Sequence, residues 1–495
     1  MSRFRSTYRH PGARAYAEPG GSWDGPTLDA LLHSRARATN DVLVVDEAAG
    51  VRLTGIELEH RVAALAGGLR ALGVRRRDVV AWQLPNGHEA LLLTRACWRL
   101  GAVAAPIHHQ AGAAEVERML RTLEPRVALA RDDVRGVASR FDTLFAGLPA
   151  AAGVARPADL AAVLFTSGSS GAPKAVLHTH RGLAYKARLM NGVHGLHRGD
   201  VVLMPAPLAH ISGLLNGIAV PGAQPFTTVL MERWDPERAL DVIARERVSF
   251  MVGPPTFFLG LMGSPRFTPE HVRPLRLVSS GGAGVTPAFV RQASDALGAR
   301  VKRSYGSTEA PTVATSTADD PAERAAETDG RAVGGAQLRL GRDEELLVRG
   351  PELFAGYADP AQTRAALDRG WFRTGDRATI DGDGWLTIVG RLTDTIIRGG
   401  ENISAAEVEG VLEAHPDVRQ AVVVGYPDER LGERVCAFVV GAGGFDLERC
   451  REWFTTRGVT RFKTPERVVV LEALPLLASG KPDRAALRIR ALTST

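Results

Sequence analysis

The segment Leu160 to Phe165 is apolar and breaks into Thr166-Ser167-Gly168-Ser169-Ser170-Gly171-Ala172-Pro173-Lys174, after which Ala175-Val176-Leu177 is apolar again. Glycines let backbone N–H groups approach phosphate oxygens, hydroxyls add donors, and the lysine supplies charge. A plain Ser/Gly linker is not normally bracketed by two apolar strands, so this stretch reads as a nucleotide loop. It is not a Walker A loop, because the spacing GxxxxGK[ST] is missing and Ala175 has no hydroxyl for magnesium. Neither Ser169 nor Ser170 sits in GxSxG, so a serine nucleophile elbow has no support.

Lysine itself is informative. Of the 61 basic residues only five are lysine (Lys174, Lys186, Lys302, Lys463 and Lys481), and the other 56 are arginine. An arginine fork and a lysine point charge are not interchangeable at a reacting centre, so each lysine is worth locating. The net charge of +6 admits an anionic partner. The arginines are scattered, however, with no long basic run or nucleic-acid motif, so no nucleic-acid partner is expected. Cys97, Cys436 and Cys450 are too far apart for CxxC chemistry and fit a reducing cytoplasm. No signal-peptide stretch and no run of about 18 apolar residues is present, so the expected location is cytoplasmic, without a membrane span.

Around these residues the chain must build several units. At 495 residues, with 45% hydrophobic and 23% charged residues, it has globular composition and more than one domain. Leu58, Val62, Leu65, Leu69 and Leu72 have helical spacing, Val79 to Leu84 reads as a strand, and a helix from His88 to Leu100 precedes a strand at Ala102 to Pro106. This is the alternation of an α/β domain with a largely parallel sheet, from Thr27 to Leu160, and it returns from Ala161 to Tyr305 as a second layer. After Leu338 short strands with Gly and Asp turns predict β-hairpins. Beyond Gly390, Ser404-Ala405-Ala406-Glu407 reads as a capping box. Strands at Gln420 to Gly425 and Arg434 to Gly441 and a helix near Leu447 to Thr456 complete a small α+β unit, with Cys436 and Cys450 as core residues.

Phe165 to Lys174 resembles the signature of the adenylate-forming superfamily, which contains acyl-CoA synthetases, adenylation domains of peptide synthetases and firefly luciferase. The pattern continues in order through Ala209-His210, Gly281-Gly282-Ala283, Tyr305-Gly306-Ser307-Thr308-Glu309, Thr374-Gly375-Asp376, Gly390-Arg391, Gly399-Gly400-Glu401-Asn402 and Ser479-Gly480-Lys481. The resemblance implies an α/β fold. A large N-terminal domain, residues 1–390, would hold two α/β lobes and a small β-barrel. A small mobile α+β domain, residues 391–495, would hinge at Thr393.

The implied reaction is attack of a carboxylate on the α-phosphorus of ATP, releasing pyrophosphate and leaving an acyl-adenylate, followed by acyl transfer to a thiol. Two anions must meet, so electrostatics and positioning carry the catalysis. The resemblance assigns Lys481 to the oxygens joining carboxylate, ribose and α-phosphate, Glu309 to magnesium, and Thr308 to the α-phosphate. Thr166, Ser167, Gly168, Ser169, Ser170, Gly171 and Lys174 would cradle the phosphates. Gly282, Ala283, Tyr305 and Gly306 would surround the adenine, with Asp376 and Arg391 at the ribose. His210 matches a gate beside the acyl pocket rather than an acid–base catalyst. After rotation of the C-terminal domain, Gly399, Gly400, Glu401 and Asn402 would line the pantetheine channel.

Four positions depart from the family pattern: Ala175 for glycine after Lys174, Gly284 for proline, Thr393 for the usual hinge Asp or Lys, and Pro482 for an aliphatic residue. None removes a catalytic group. Thr395 to Val440 and Val80 to Pro106 are most similar to medium-chain and cyclohexanecarboxylate-type acyl-CoA ligases. The implied acyl pocket runs along His210, Ile211, Leu215, Asn216, Phe257, Gly282, Ser304 and Thr312, mostly apolar with a few polar points. No Asp stands where amino-acid adenylation domains hold the substrate ammonium. The expected substrate is therefore a medium-chain, alicyclic or aromatic acid, with ATP, Mg2+ and coenzyme A. One alternative is a free-standing enzyme that loads a carrier protein, since no carrier domain fits in the 11 residues after Arg484. A non-catalytic adenylate-binding paralogue is disfavoured by the presence of Lys481, Thr308, Glu309 and Asp376. A homodimer is compatible with the resemblance.

Overall fold

The computed structural model describes residues 5–129, 144–145, 148–166, 173–398, 401–441, 443–477 and 480–493. Strands β1 (Val42–Asp46) and β2 (Val51–Thr54) form a hairpin that leads into the helix Gly55–Ala71. There the Thr54 hydroxyl accepts the Glu57 N–H and the Glu57 carboxylate accepts the Thr54 N–H, satisfying two orphan backbone donors at the helix start. Leu58, Val62, Leu65 and Leu69 of this helix are buried as their spacing predicts, whereas Leu72 lies past its end and is half exposed.

Strands β3 (Val79–Gln83), β4 (Val103–Ile107), β5 (Val127–Leu129), β6 (Leu160–Thr166) and β7 (Lys174–Thr179) form one sheet in the order β5-β3-β4-β6-β7, parallel except for β7. The second sheet holds β8 (Val201–Met204), β9 (Thr227–Leu230), β10 (Phe250–Gly253), β11 (Leu277–Gly281), β12 (Arg300–Tyr305), β13 (Ala314–Thr315) and β14 (Arg331–Ala332). Its order is β14-β13-β12-β11-β10-β8-β9-β1-β2. The two layers are therefore interleaved rather than consecutive: β1 pairs with β9 in the second sheet, and β6 and β7 close the first. Local alternation reports element type; parallel partners need long crossovers and are not encoded locally.

Helices Leu28–Ala36, His88–Leu100 and His180–His194 lie between the sheets, and one core joins Val80 and Trp82 of β3 to Met204 of β8 and Phe250 of β10. The third sheet is antiparallel and five-stranded: β15 (Gln337–Leu340), β16 (Glu345–Arg349), β17 (Leu367–Asp368), β18 (Trp371–Ile380) and β19 (Leu386–Arg391).

A fourth sheet contains β20 (Thr395–Arg398), β21 (Glu401–Ser404), β22 (Val418–Asp428), β23 (Gly432–Gly441) and β24 (Arg467–Val470). Alternate residues serve its two faces: Val423, Val435 and Ala437 pack toward the helices Ala405–Glu413 and Leu447–Thr456, and Val424, Cys436 and Phe438 toward Arg484–Thr493. The capping box at Ser404 is half formed. Its hydroxyl accepts the Glu407 N–H, but the Glu407 carboxylate turns to Lys463, which offers a charged partner instead of a neutral amide. All three cysteines are free and buried, as core packing requires. Among the described residues no helix is long and apolar enough to cross a membrane.

Candidate active site

The C-terminal ends of β11 and β12 and the facing edge of the third sheet converge on one cleft. Strand β12 ends at Tyr305, whose hydroxyl donates to Asp376 Oδ2 at 2.6 Å. Asp376 lies opposite Arg391 in the β18–β19 register, and Arg391 Nε stands 2.9 Å from Asp376 Oδ1. Burial and the Asp376 charge push the Tyr305 hydroxyl well above its ordinary pKa, so it stays a neutral donor. A carboxylate offers about four acceptor sites. Tyr305 and Arg391 occupy two of these on the buried Asp376.

The turn after Tyr305 is fixed by its own backbone. Ser307 N–H donates to Ala310 O at 3.0 Å, and a Cβ on Gly306 would fall 2.2 Å from Thr312 N. This close approach needs glycine at 306. The turn presents Thr308 and Glu309. The buried His178 ring of β7 faces the Thr308 backbone, and Glu309 Oε1 accepts the Tyr357 hydroxyl at 2.7 Å.

Lys481 enters this cleft from the C-terminal part of the chain. Its methylene Cε lies 3.2 Å and its Nζ 3.5 Å from where a Cβ on Gly282 would stand, and Gly282 has φ +78°. The short turn carrying it is closed by Gly480 N–H to Leu477 O, Leu477 N–H to Lys481 O and a bridge between Leu476 and Pro482. Among the described residues, one hydrogen bond anchors it to the larger part: Thr256 Oγ1 donates to Gly480 O at 2.7 Å. The lysine keeps accessible surface along the cleft, while loss of water to the cleft walls and repulsion by Arg391 lower its pKa against the opposing pull of Asp376 and Glu309.

His210 precedes the helix Ile211–Leu214 and is pushed down to about 4, first by loss of water and then by the Lys481 charge, so it is neutral near pH 7. Its ring is 5.5 Å from that of His108, which stacks on His109 at 4.7 Å. Ile211 is partly buried; Leu215 and Asn216 are buried in the π-helical turn Leu215–Ala219, where Asn216 Nδ2 donates to Ser212 O. Ser304 Oγ donates to Ser280 O, Thr312 takes φ +39°, and Phe257 stacks on Trp234 and backs Gly480.

The structure thus assembles Tyr305, Asp376, Arg391, Glu309, Gly282, Lys481 and His210. Thr166 ends β6 opposite Lys174, and Lys174 Nζ lies over the Tyr357 ring. Ser167, Gly168, Ser169, Ser170 and Gly171 lie outside the described residues, as do Gly399 and Gly400. Ala283 follows Gly282 at the cleft rim. Glu401 and Asn402 lie on β21, and Glu401 is exposed. Thr393 lies in the single turn Leu392–Asp394 joining the third and fourth sheets. Ala175 and Gly284 both have φ outside the left-handed region, so neither departure strains the backbone. Tyr357, Thr256, His108 and His178 were not singled out by the sequence. The paired His108-His109 after an apolar strand was the one visible signal.

Residues 32–358 match the family model described as AMP-binding enzyme, and residues 407–481 match that of the AMP-binding enzyme C-terminal domain. The chain belongs to the AMP-binding enzyme family. This AMP-binding enzyme is 32% identical to the medium-chain fatty-acid–CoA ligase of Escherichia coli (strain K12), over 97% of this chain and 93% of that protein. It is 34% identical to a feruloyl-CoA synthase of an Amycolatopsis species, with 95% and 98% covered. The crystal structure of ATP-bound MatB from Rhodopseudomonas palustris is similar with a TM-score of 0.85 at 28% identity, covering 94% of this chain and 98% of that one. Adenylate-forming ligases use ATP and coenzyme A as substrates, and this AMP-binding enzyme is an acid–thiol ligase of that superfamily.

Proposed function

We propose that this enzyme converts a medium-sized apolar, alicyclic or aromatic carboxylic acid into its coenzyme A thioester through an acyl-adenylate. The observation that carries the reading is the Lys481 ammonium held at Gly282, within the electrostatic reach of Glu309, Asp376 and Arg391. In the first step a carboxylate oxygen bonds to the α-phosphorus, the bond to the β-phosphate oxygen breaks, and pyrophosphate leaves. Lys481 holds the two anions together where charge builds up. Thr308 donates to the α-phosphate, and Asp376 offers its remaining acceptor sites to the ribose hydroxyls beside Arg391. Thr166 to Gly171 and Lys174 hold the leaving phosphates, with Ala283, Tyr305 and Gly306 around the adenine.

Glu309 fits a magnesium ion. Among the described residues its second oxygen, Oε2, has no protein donor, and a hard cation with few protein ligands completes its shell from phosphate oxygens and water. When bound, the ion neutralises phosphate charge. The described residues contain one group of three ligand side chains, Asp46, His88 and Glu89, and Glu309 is not part of it.

In the second step the thiol sulfur bonds to the acyl carbon, AMP leaves with the bonding electrons, and the thiol proton passes to solvent. Neutral His210 flanks the path as a gate. Rotation about Thr393 withdraws Lys481 and brings Gly399, Gly400, Glu401 and Asn402 to the pantetheine. Ile211, Leu215 and Phe257 supply apolar lining. Ser304 gives its one hydroxyl hydrogen to the Ser280 carbonyl and keeps an accepting oxygen, whereas Asn216 donates to the Ser212 carbonyl and keeps both an amide oxygen and a second N–H, so it can read a donor or an acceptor.

The competing acceptor is the pantetheine thiol of a carrier protein. AMP release is therefore measured with a panel of acids and either free coenzyme A or a pantetheinylated carrier protein. Turnover with free coenzyme A is the expected result. Turnover with the carrier alone overturns the ligase reading in favour of carrier loading.

A further inference from the structure

The segment Phe354 to Ala358 lies between two parts of the proposed phosphate site and is bonded to both. On one side it continues the β7 edge: Ala355 N–H donates to Leu177 O at 2.7 Å, Leu177 N–H to Gly356 O at 3.0 Å, and Ala358 N–H to Ala175 O at 2.9 Å, with a bridge between Val176 and Tyr357. Lys174, at the start of β7, places its Nζ 5.4 Å from the centre of the Tyr357 ring. On the other side, Phe354 N–H donates to Glu309 O at 2.8 Å and the Tyr357 hydroxyl donates to Glu309 Oε1 at 2.7 Å. Backbone and side chain of one carboxylate residue are thus both held from the same five-residue segment.

The segment is itself immobilised. Tyr357 is 3% exposed, its ring meets Phe354 edge-on, its N–H donates to Thr363 Oγ1 at 2.8 Å, and its carbonyl accepts the Thr7 hydroxyl at 2.8 Å. Gly356 has φ +101°, and a Cβ there would fall 2.0 Å from Thr7 Oγ1, so the turn behind the tyrosine admits only glycine. A free carboxylate can rotate its oxygens; one that receives a fixed phenol on Oε1 cannot do so without losing that bond. Oε2 is left pointing away from the donor.

We propose that Tyr357 is a positioning residue for the metal carboxylate: its hydroxyl occupies Oε1 of Glu309 so that Oε2 is presented to the magnesium of the ATP complex, in fixed relation to Lys174. The tyrosine touches neither substrate nor reacting atoms. It ties the two charges that handle phosphate to one rigid support. The proposal rests on the reading of Glu309 as the magnesium carboxylate, and the test separates the two.

ATP binding is measured calorimetrically with and without Mg2+ for the wild type, Tyr357→Phe and Glu309→Gln, alongside the thermal midpoint of each unliganded protein. Phenylalanine keeps the ring, its packing and its contact with Lys174, and removes only the hydroxyl. Loss of one hydrogen bond to a charged group predicts about tenfold weaker MgATP binding. The Mg2+ concentration for half-saturation rises by a similar factor, while Mg2+-free ATP affinity stays at the wild-type value; the unliganded midpoint falls slightly, the cost to the fold of the lost bond. Wild-type MgATP binding by Tyr357→Phe, with weakened binding by Glu309→Gln, overturns the positioning role and leaves the metal reading standing. Wild-type binding by both variants overturns the metal reading and the positioning role together. An equal loss with and without Mg2+ in Tyr357→Phe also overturns the proposal, since the hydroxyl would then serve the nucleotide pocket generally.

Discussion

The nucleotide wall and the turn that carries Lys481 are held by different means. The wall draws Tyr305 from β12, Asp376 from β18, Arg391 from β19 and Glu309 from the turn after β12, joined by sheet register and by side-chain contacts of 2.6, 2.9 and 2.7 Å. The ends of the turn that carries Lys481 hydrogen-bond to each other and, among the described residues, reach the larger part through Thr256 to Gly480, the packing of Gly480 on Phe257 and Pro254, and the approach of Lys481 to Gly282. On the proposed reading, the groups that serve both half-reactions are the ones built into sheets, and the one needed only while two anions are joined is expected to withdraw, since few contacts would have to break.

The strongest test of that contrast is Lys481→Ala. Adenylate formation is expected to slow by about 100-fold or more, the scale of one lost transition-state donor, while thiolation of supplied acyl-adenylate continues at the wild-type rate. Equal loss of both half-reactions in rapid-quench measurements would refute the division of labour. The pH profile carries the same signature. Only the protonated lysine bridges anions, and its pKa lies below the ordinary 10.5, so adenylation declines as pH rises through that lowered value. Lys481→Ala loses this alkaline limb, and His210, at about 4, adds none near neutrality.

Asp376→Asn tests the wall. It keeps the shape, removes the charge facing Arg391, and halves the acceptor capacity that the ribose uses. The KM for ATP is expected to rise roughly tenfold, in line with a lost charge-assisted bond. Thiolation should weaken too, because the AMP portion stays bound through it. A defect confined to adenylation would place Asp376 with the lysine and erase the contrast.

How much of this was legible in sequence follows the range of the interaction. The helix His88–Leu100 matches its expected bounds to the residue, and Leu447–Thr456 forms where a helix was expected, because periodicity and caps are local. The β22–β23 hairpin runs longer than the expected strands, since register continues past Gly425 and ahead of Arg434 to the pair Asp428 and Gly432. Sheet membership was hidden by crossovers. Motif order brought Tyr305, Glu309, Asp376 and Lys481 to one cleft, but Tyr357 was missed because its bond to Glu309 spans 48 residues with no repeat or spacing rule to announce it. Lysine rarity was a partial guide. Lys174 and Lys481 flank the cleft, yet Lys186 is buried 3.8 Å from Glu352 and Lys302 is buried against the Ser316 carbonyl. Scarcity flags residues that arginine cannot replace, and a tight core is as good a reason as a reaction.

The smallest expected effect discriminates most finely between the two regions. Gly480 and Gly375 have nearly the same backbone, φ +79° and +72°, so an alanine costs each about 1–2 kcal/mol in the left-handed region. Their surroundings differ. A Cβ at 480 would fall 2.7 Å from Phe257 Cε1, whereas nothing lies within 4 Å of one at 375. Gly480→Ala can relieve its clash by displacing the lysine turn, which has few other contacts. Adenylation should therefore slow by about three- to tenfold, the range a 1 kcal/mol displacement spans, with thiolation of supplied adenylate unchanged. Gly375→Ala has no such escape, because Thr374 and Asp376 on either side are fixed by the Leu346 carbonyl and by Tyr305. Its strain falls on the ribose site and should weaken both half-reactions alike. If the two variants give the same pattern, the lysine turn is as firmly built as the wall, and withdrawal of Lys481 needs more than the breaking of a few contacts.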